Sequence, residues 1–173
     1  LNTAIYPTEN IVPLIETVHD RAVVETFRGC TRGCRFCQAG MIYRPIRERK
    51  KDSIMKLAAN QLKNTGHDEL SILSLSTSDY SEFESLAIDL TRYCKDRNVS
   101  LSLPSLRLDN FSFKVLDEIQ GYKKSGLTFA PEAGTQRLRD VINKGITEDD
   151  IYDAVEQAIE LGWRHVKLYF MIG

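Results

Sequence analysis

Apolar positions along the chain switch repeatedly between two periods. Short β-branched or apolar runs at Ala22 to Phe27, Leu70 to Leu75, Val99 to Leu103, Leu127 to Ala130 and His165 to Ile172 alternate with stretches of helical spacing. Runs this short and this uniformly apolar suit strands buried on both faces, so the alternation predicts an α/β fold of repeated βα units around a parallel sheet. In the first helical stretch Ile54, Leu57, Ala58, Ala59 and Leu62 share one face, with Asp52 or Ser53 as the expected cap and Gly66 as the stop. Ser81 and Glu84 predict a capping box ahead of the stripe Phe83, Leu86, Ala87, Leu90 and Tyr93. Asn110 to Ile119 gives a third helix, with Phe113 and Leu116 inward. Thr135 to Asn143 and Thr147 to Leu161 give two more, each opened by a threonine cap and separated by Gly145.

The ends of the chain read differently from its middle. Residues 1–20 carry Pro7 and Pro13 and no clear period, which predicts a connector from a preceding domain. Residues 21–173 form the core, and the fifth strand closes at Gly173, where a βα barrel still needs strands or a partner to cover its edge. The expectation is five parallel strands of a barrel truncated at its C-terminal side.

Composition narrows the function classes. At 42% hydrophobic and 27% charged over 173 residues, the chain suits one globular domain and excludes disorder, collagen and coiled coil. With 23 Lys and Arg against 24 Asp and Glu, no whole-domain field attracts nucleic acid or an anionic membrane. No apolar stretch approaches the roughly 20 residues that span a bilayer, and Leu1 to Asp20 lacks the pattern of a signal peptide, so a cytoplasmic protein with no membrane partner is expected. Four cysteines in that compartment point to metal or redox chemistry before a disulfide framework.

Three of the four, Cys30, Cys34 and Cys37, form a CxxxCxxC run on the loop after the first strand. Loops at the carboxyl ends of strands surround the ligand mouth of βα folds, and Gly33 lets this one turn tightly while three soft ligands converge. A structural zinc site wants four protein ligands, whereas three thiolates leave one iron of a cubane open to something else. Cys94 lies well along the second helix, where a small buried side chain is the simpler reading. A histidine could in principle complete a zinc site, but His19 and His67 read as solvated residues and His165 as a strand start, which disfavours it. An electron-carrying ferredoxin would need a fourth cysteine.

CxxxCxxC with an aromatic, Phe36, before the last cysteine, on the loop after the first barrel strand, resembles the radical S-adenosylmethionine (SAM) superfamily. The longer strings HDRAVVETFRGCTRGCRFCQAGMIYRPIRER, LSLPSLRLD, LTFAPEAGTQRLRDVINKG and KLYFMIG are similar to an uncharacterised bacterial radical SAM family in which a cobalamin-binding-type domain precedes the barrel. The resemblance implies a partial TIM-type (βα)6 barrel. It implies a [4Fe–4S] cluster on Cys30, Cys34 and Cys37 that binds SAM and, once reduced, cleaves it to a 5′-deoxyadenosyl radical. It assigns the SAM amino group to Ser76, Thr77 and Ser78, at a place where the family is often Gly-rich; here carbonyls or hydroxyls would serve, and Asp79 equally suits a helix cap. Glu132 falls where the family binds the SAM ribose, Lys144 where it meets the SAM carboxylate, and Ile172 with Gly173 on the strand that packs against adenine. An external electron donor such as flavodoxin or ferredoxin is implied, with cobalamin through a missing domain as a further cofactor.

Arg107, at the end of the third strand, faces the same mouth and suits a carboxylate of SAM or substrate, with an exposed turn residue beside Asp109 as the simpler alternative. Arg28, Arg32, Arg35, Arg44, Arg47, Arg49, Lys50 and Lys51 lie close together with Glu48 alone opposing them. This basic run suits cluster tuning, an anionic substrate or RNA, or a solvated junction, and Phe36 and Tyr43 are the aromatics beside it. The expected function is therefore a radical SAM enzyme core whose substrate and catalytic residues the sequence does not name. The alternatives are cobalamin-assisted methyl transfer or methylthio transfer to RNA or protein, and a non-catalytic iron–sulfur or zinc scaffold.

Overall fold

The computed structural model describes the chain except residues 16, 110–114, 116, 119–125 and 173. Phe113, Leu116 and most of the helix expected over Asn110 to Ile119 lie outside the described residues, as does Gly173.

Strands β1 (Ala22–Glu25), β4 (Glu69–Leu73) and β5 (Ser100–Ser102) form a parallel sheet in the order β1-β4-β5, with Val24 opposite Ile72 and Leu70 opposite Leu101. A second parallel pair joins β6 (Leu127–Glu132) to β7 (Val166–Phe170), with Phe129 opposite Leu168. Among the described residues no backbone ladder links β5 to β6. The five βα strands expected from the sequence are thus present, in two arcs of a partial TIM-type barrel.

Each arc has its own core. Ala22, Val24, Leu70 and Ile72 are almost wholly buried, packed with Ile54, Ala58 and Leu62 of α2 (Lys51–Thr65) and Leu86, Ala87 and Leu90 of α3 (Phe83–Lys95). Leu127 and Phe129 pack instead with Ile146, Trp163 and the Ala154 and Ala158 face of α5 (Glu148–Glu160). Leu106 touches both clusters. Burying such side chains contributes about 1.5–3 kcal/mol each, which is what holds the short strands against their helices.

Local signals are partly overridden by distant partners. Phe27–Arg28 (β2) leaves the first run and pairs antiparallel with Arg47–Glu48 (β3), a ribbon with too few residues to show alternation. The capping box at Ser81 and Glu84 does not form: Glu48 takes the Ser81 amide at 3.0 Å and its hydroxyl at 2.5 Å, and α3 starts one residue after Glu82. Helix α2 is capped by Lys50 in extended conformation rather than by Asp52 or Ser53, and it does stop at Gly66. Both threonine caps hold. Thr135 accepts from the Leu138 amide ahead of α4 (Gln136–Val141), and Thr147 forms a capping box with Asp150 ahead of α5. Short α1 (Ala39–Ile42) follows the cysteine loop.

The segment around Tyr6 is fastened to the barrel. The Tyr6 hydroxyl donates to the Val23 carbonyl at 2.7 Å and accepts from the Glu25 amide at 3.2 Å. Gln61 donates to the Pro7 carbonyl, and Arg49 lies over the Tyr6 ring. Among the described residues no helix is long and apolar enough to cross a membrane.

Candidate functional site

The cysteine loop leaves β2 at the carboxyl end of the sheet, and its three thiols are free. Cys34 is buried, Cys30 and Cys37 are partly exposed, and the Cys37 amide donates to the Cys34 carbonyl at 3.0 Å, closing a turn around Arg35 and Phe36. Among the described residues no three His, Cys, Asp or Glu side chains are gathered to hold a metal ion. What the loop offers is a donor set: three soft thiols on one folded segment. That chemistry fits an iron–sulfur cluster better than a hard cation.

The loop is clasped from two directions. On one side Arg32, between the first two cysteines, donates through Nε to Asp79 Oδ2 at 2.8 Å, through Nη2 to Asp79 Oδ1, and through Nη1 to Asp109 Oδ2 at 3.0 Å. Asp79 sits in a 3-10 turn (Thr77–Asp79) after β4, and Asp109 in the segment after β5. On the other side the Asn143 amide donates to the Gly33 carbonyl at 2.9 Å, and the Arg35 amide to the Ile142 carbonyl at 2.9 Å. Gly33 adopts φ +70, and a Cβ there would touch Asn143 Nδ2 at 3.4 Å, so the tight turn expected there is also a close approach.

The mouth residues foreseen from the sequence fall around this clasp. Ser76, Thr77 and Ser78 are buried, and their hydroxyls have internal partners: Ser76 donates to Asp79 at 2.6 Å, Thr77 pairs with Ser74 at 2.9 Å, and Ser78 accepts the Arg107 amide at 3.1 Å. Asp79 therefore does not cap α3 but anchors Arg32. Burial pushes its carboxyl up, yet the hydrogen bonds from Arg32 and Ser76 and the nearby Arg107 outweigh that and hold it below the usual carboxylate range. Arg107 is not an exposed turn residue. Its guanidinium grips Asp109 at 2.8 and 3.1 Å and donates to the Lys144 carbonyl at 3.1 Å.

Glu132 ends β6 with φ +69, a left-handed backbone that costs a non-glycine residue about 1–2 kcal/mol and concentrates where function over-determines geometry. Its carboxylate meets Lys144 Nζ at 3.4 Å, and Lys144 also lies 5.9 Å from the Phe36 ring centre. Phe36 is half-exposed, and Ile172 is fully exposed beyond β7. A cavity of about 410 Å³ opens beside the loop, lined by Glu25, Phe27, Arg28, Gly29, Tyr43 and Leu73 among others.

Cys94 is wholly buried in the core, and burial pushes its thiol up to about 11, as a packing role requires. His67 faces Asp20 at 3.3 Å and His19 faces Arg21, so neither serves the cysteine loop. The basic run disperses in space: Arg32 holds two aspartates, Arg28 and Arg49 both meet Glu25, and Lys51 meets Asp89. Sequence reasoning missed Asn143 and Arg139. Arg139 is buried and donates to the carbonyls of Ala133 and Ile146, fixing the turn that carries Lys144. Its place in a helix whose other residues are mostly polar conceals this.

The family model of the Radical SAM superfamily matches residues 24–173. The chain is 40% identical over 151 residues to an uncharacterized protein of Methanocaldococcus jannaschii, MJ0966, a match covering 87% of this chain and 32% of the relative. It is similar in fold to TsrM, a radical SAM methyltransferase from Kitasatospora setae solved with cobalamin and a [4Fe–4S] cluster bound, with TM-score 0.69 and 16% identity over 88% of this chain and 31% of that one. It is also similar to OxsB, a cobalamin-dependent SAM radical enzyme, with TM-score 0.64 and 16% identity over 87% of this chain and 24% of that one. The chain thus spans about a third of the length of its M. jannaschii relative. With CxxxCxxC on the loop after the first strand and a family match over nearly the whole barrel, the chain belongs to the radical SAM superfamily.

Proposed function

We propose that this chain is the cluster-binding and SAM-binding core of a radical SAM enzyme that modifies a substrate of unassigned class. The observation that carries the reading is the placement of three free thiols, Cys30, Cys34 and Cys37, on one loop tied to the turns that follow β4, β5 and α4. A [4Fe–4S] cluster there would supply one electron to the C5′–S bond of SAM, releasing methionine and a 5′-deoxyadenosyl radical.

The chain's own residues bind and orient. Glu132 accepts from the vicinal ribose hydroxyls, which suits a carboxylate with free lone pairs. Lys144 exchanges its loose 3.4 Å contact with Glu132 for the SAM carboxylate. With their hydroxyls engaged, Ser76, Thr77 and Ser78 receive the amino group through backbone carbonyls, each of which carries two lone pairs. Phe36 and Ile172 offer apolar contact to adenine and keep water from it. Arg107 serves the site by holding the Lys144 turn.

An external electron donor of the flavodoxin or ferredoxin kind and a cytoplasmic location belong to the same proposal. RNA as substrate has less support, because carboxylates neutralise Arg28, Arg32, Arg49 and Lys51. One observation favours a second reading, cobalamin-assisted methyl transfer: both solved relatives hold cobalamin.

The test is anaerobic reconstitution of the full chain with iron and sulfide, reduction by dithionite, addition of SAM, and chromatography beside Cys30→Ala, Cys34→Ala and Cys37→Ala. 5′-Deoxyadenosine that disappears in all three variants is the expected result. Bound zinc without iron, or a loaded cluster that leaves SAM intact, refutes it. S-adenosylhomocysteine formed only with added cobalamin selects the second reading.

A further inference from the structure

The two arcs of the barrel share no ladder among the described residues, yet an unbroken polar chain crosses their mouth. It runs from Ser76 to Asp79, through Arg32 to Asp109, on to Arg107, across to the Lys144 carbonyl, and from Lys144 Nζ to Glu132. Its charged members are held at low exposure, with side chains between 10% and 33% accessible, so the links are screened less than surface ion pairs. Arg32 is the one member on the cysteine loop. A guanidinium alone has the planar fork to hold one carboxylate with two N–H groups and a second carboxylate with a third.

We propose that Arg32, with Asp79, Asp109 and Arg107, is a positioning device that sets the cysteine loop before any metal arrives and links its placement to Glu132 and Lys144. Arg32 engages Asp79 and Asp109 through all three of its guanidinium nitrogens. It acts by fixing the loop path between Cys30 and Cys34 relative to the far arc. The loop it holds carries all three thiols, Cys30, Cys34 and Cys37. Its function rests on the reading of Cys30, Cys34 and Cys37 as cluster ligands, whereas its effect on the loop does not.

The experiment separates the two. Full-length Arg32→Gln, Arg32→Lys and Asp79→Asn proteins, stripped of metal, are pulsed with iodoacetamide, and alkylation of each cysteine is followed by mass spectrometry. Losing charge-assisted hydrogen bonds predicts that Cys34 reacts about tenfold faster or more in Arg32→Gln, with Cys94 still protected. Arg32→Lys, which keeps one carboxylate contact, restores part of the protection. Unchanged Cys34 rates overturn the proposal, and so does a rise in Cys94 reactivity, which would make the network a support of the fold at large. In reconstituted protein, the electron paramagnetic resonance signal of the reduced cluster should respond less to SAM in Arg32→Gln than in wild type; an identical response removes the link to Glu132 and Lys144. Wild type that takes up no cluster defeats the functional reading and leaves the alkylation result standing.

Discussion

Gly29→Ala probes how the chain turns from β2 into the cysteine loop. Gly29 has φ +99, and a Cβ there would lie 2.5 Å from the Tyr43 carbonyl oxygen, 2.9 Å from that of Pro45 and 3.1 Å from Ile46 Cα. All three are backbone atoms, so no side chain can swing away. The left-handed backbone costs an alanine about 1–2 kcal/mol, and forcing packed backbone apart costs about 1–3 kcal/mol more, a total of about 2–5 kcal/mol. Gly66→Ala isolates the first contribution, since its φ is +73 with no atom within 4 Å of the added carbon. It should lose only about 1–2 kcal/mol. Urea unfolding of both variants at constant m-value measures the difference. Iron bound per chain should fall in Gly29→Ala, whose neighbour is Cys30, and hold in Gly66→Ala. Equal destabilisation by the two substitutions would refute the steric part of the reasoning.

Three further outcomes are expected. The buried Cys94 thiol, raised to about 11 by desolvation, favours the fold fully below the ordinary thiol range, and that contribution drains away as pH rises toward 11; the alkaline loss, of order 2 kcal/mol, should shrink in Cys94→Ala when unfolding is followed against pH. Arg139→Leu leaves the Ala133 carbonyl without its side-chain donor and the Ile146 carbonyl with Gln136 alone at 3.3 Å, so thermal unfolding should report a loss of about 1–3 kcal/mol, and an unchanged midpoint would refute the burial argument. Glu132→Gln keeps the fold and loses a charged acceptor, so isothermal titration should show SAM binding about 10- to 100-fold weaker.

Much of the barrel is legible in the sequence because βα units advertise themselves locally. Val24 and Ile72 lie in apolar runs, Leu86 and Leu90 in a helical stripe, and Thr147 and Gly66 are end signals that work within one turn. The readings that failed are those a distant residue decides. Ser81 has a capping partner nearby in sequence, yet Glu48 from another strand takes its amide and hydroxyl. The basic run from Arg28 to Lys51 looks like a field until Asp79, Asp109, Glu25 and Asp89 meet it in space. Cys30, Cys34 and Cys37 are legible as a set because their spacing is the motif, whereas the device around Arg32 draws on three loops whose proximity only the fold creates. Arg107 shows both: its place at the mouth follows from the strand before it, and its partner across the gap does not.

The tether at Tyr6 bears on how such a chain behaves in company. The Val23 carbonyl and Glu25 amide that it occupies belong to the outer rim of β1, the side away from β4. Left bare, that rim is a template on which another polypeptide can lay down an extra strand. A phenol satisfies both groups without extending the sheet, since a side chain cannot propagate a ladder. The first residues thus work as a selvedge, finishing a woven margin so that it neither frays nor catches on its neighbours, and monodispersity at high concentration should depend on them.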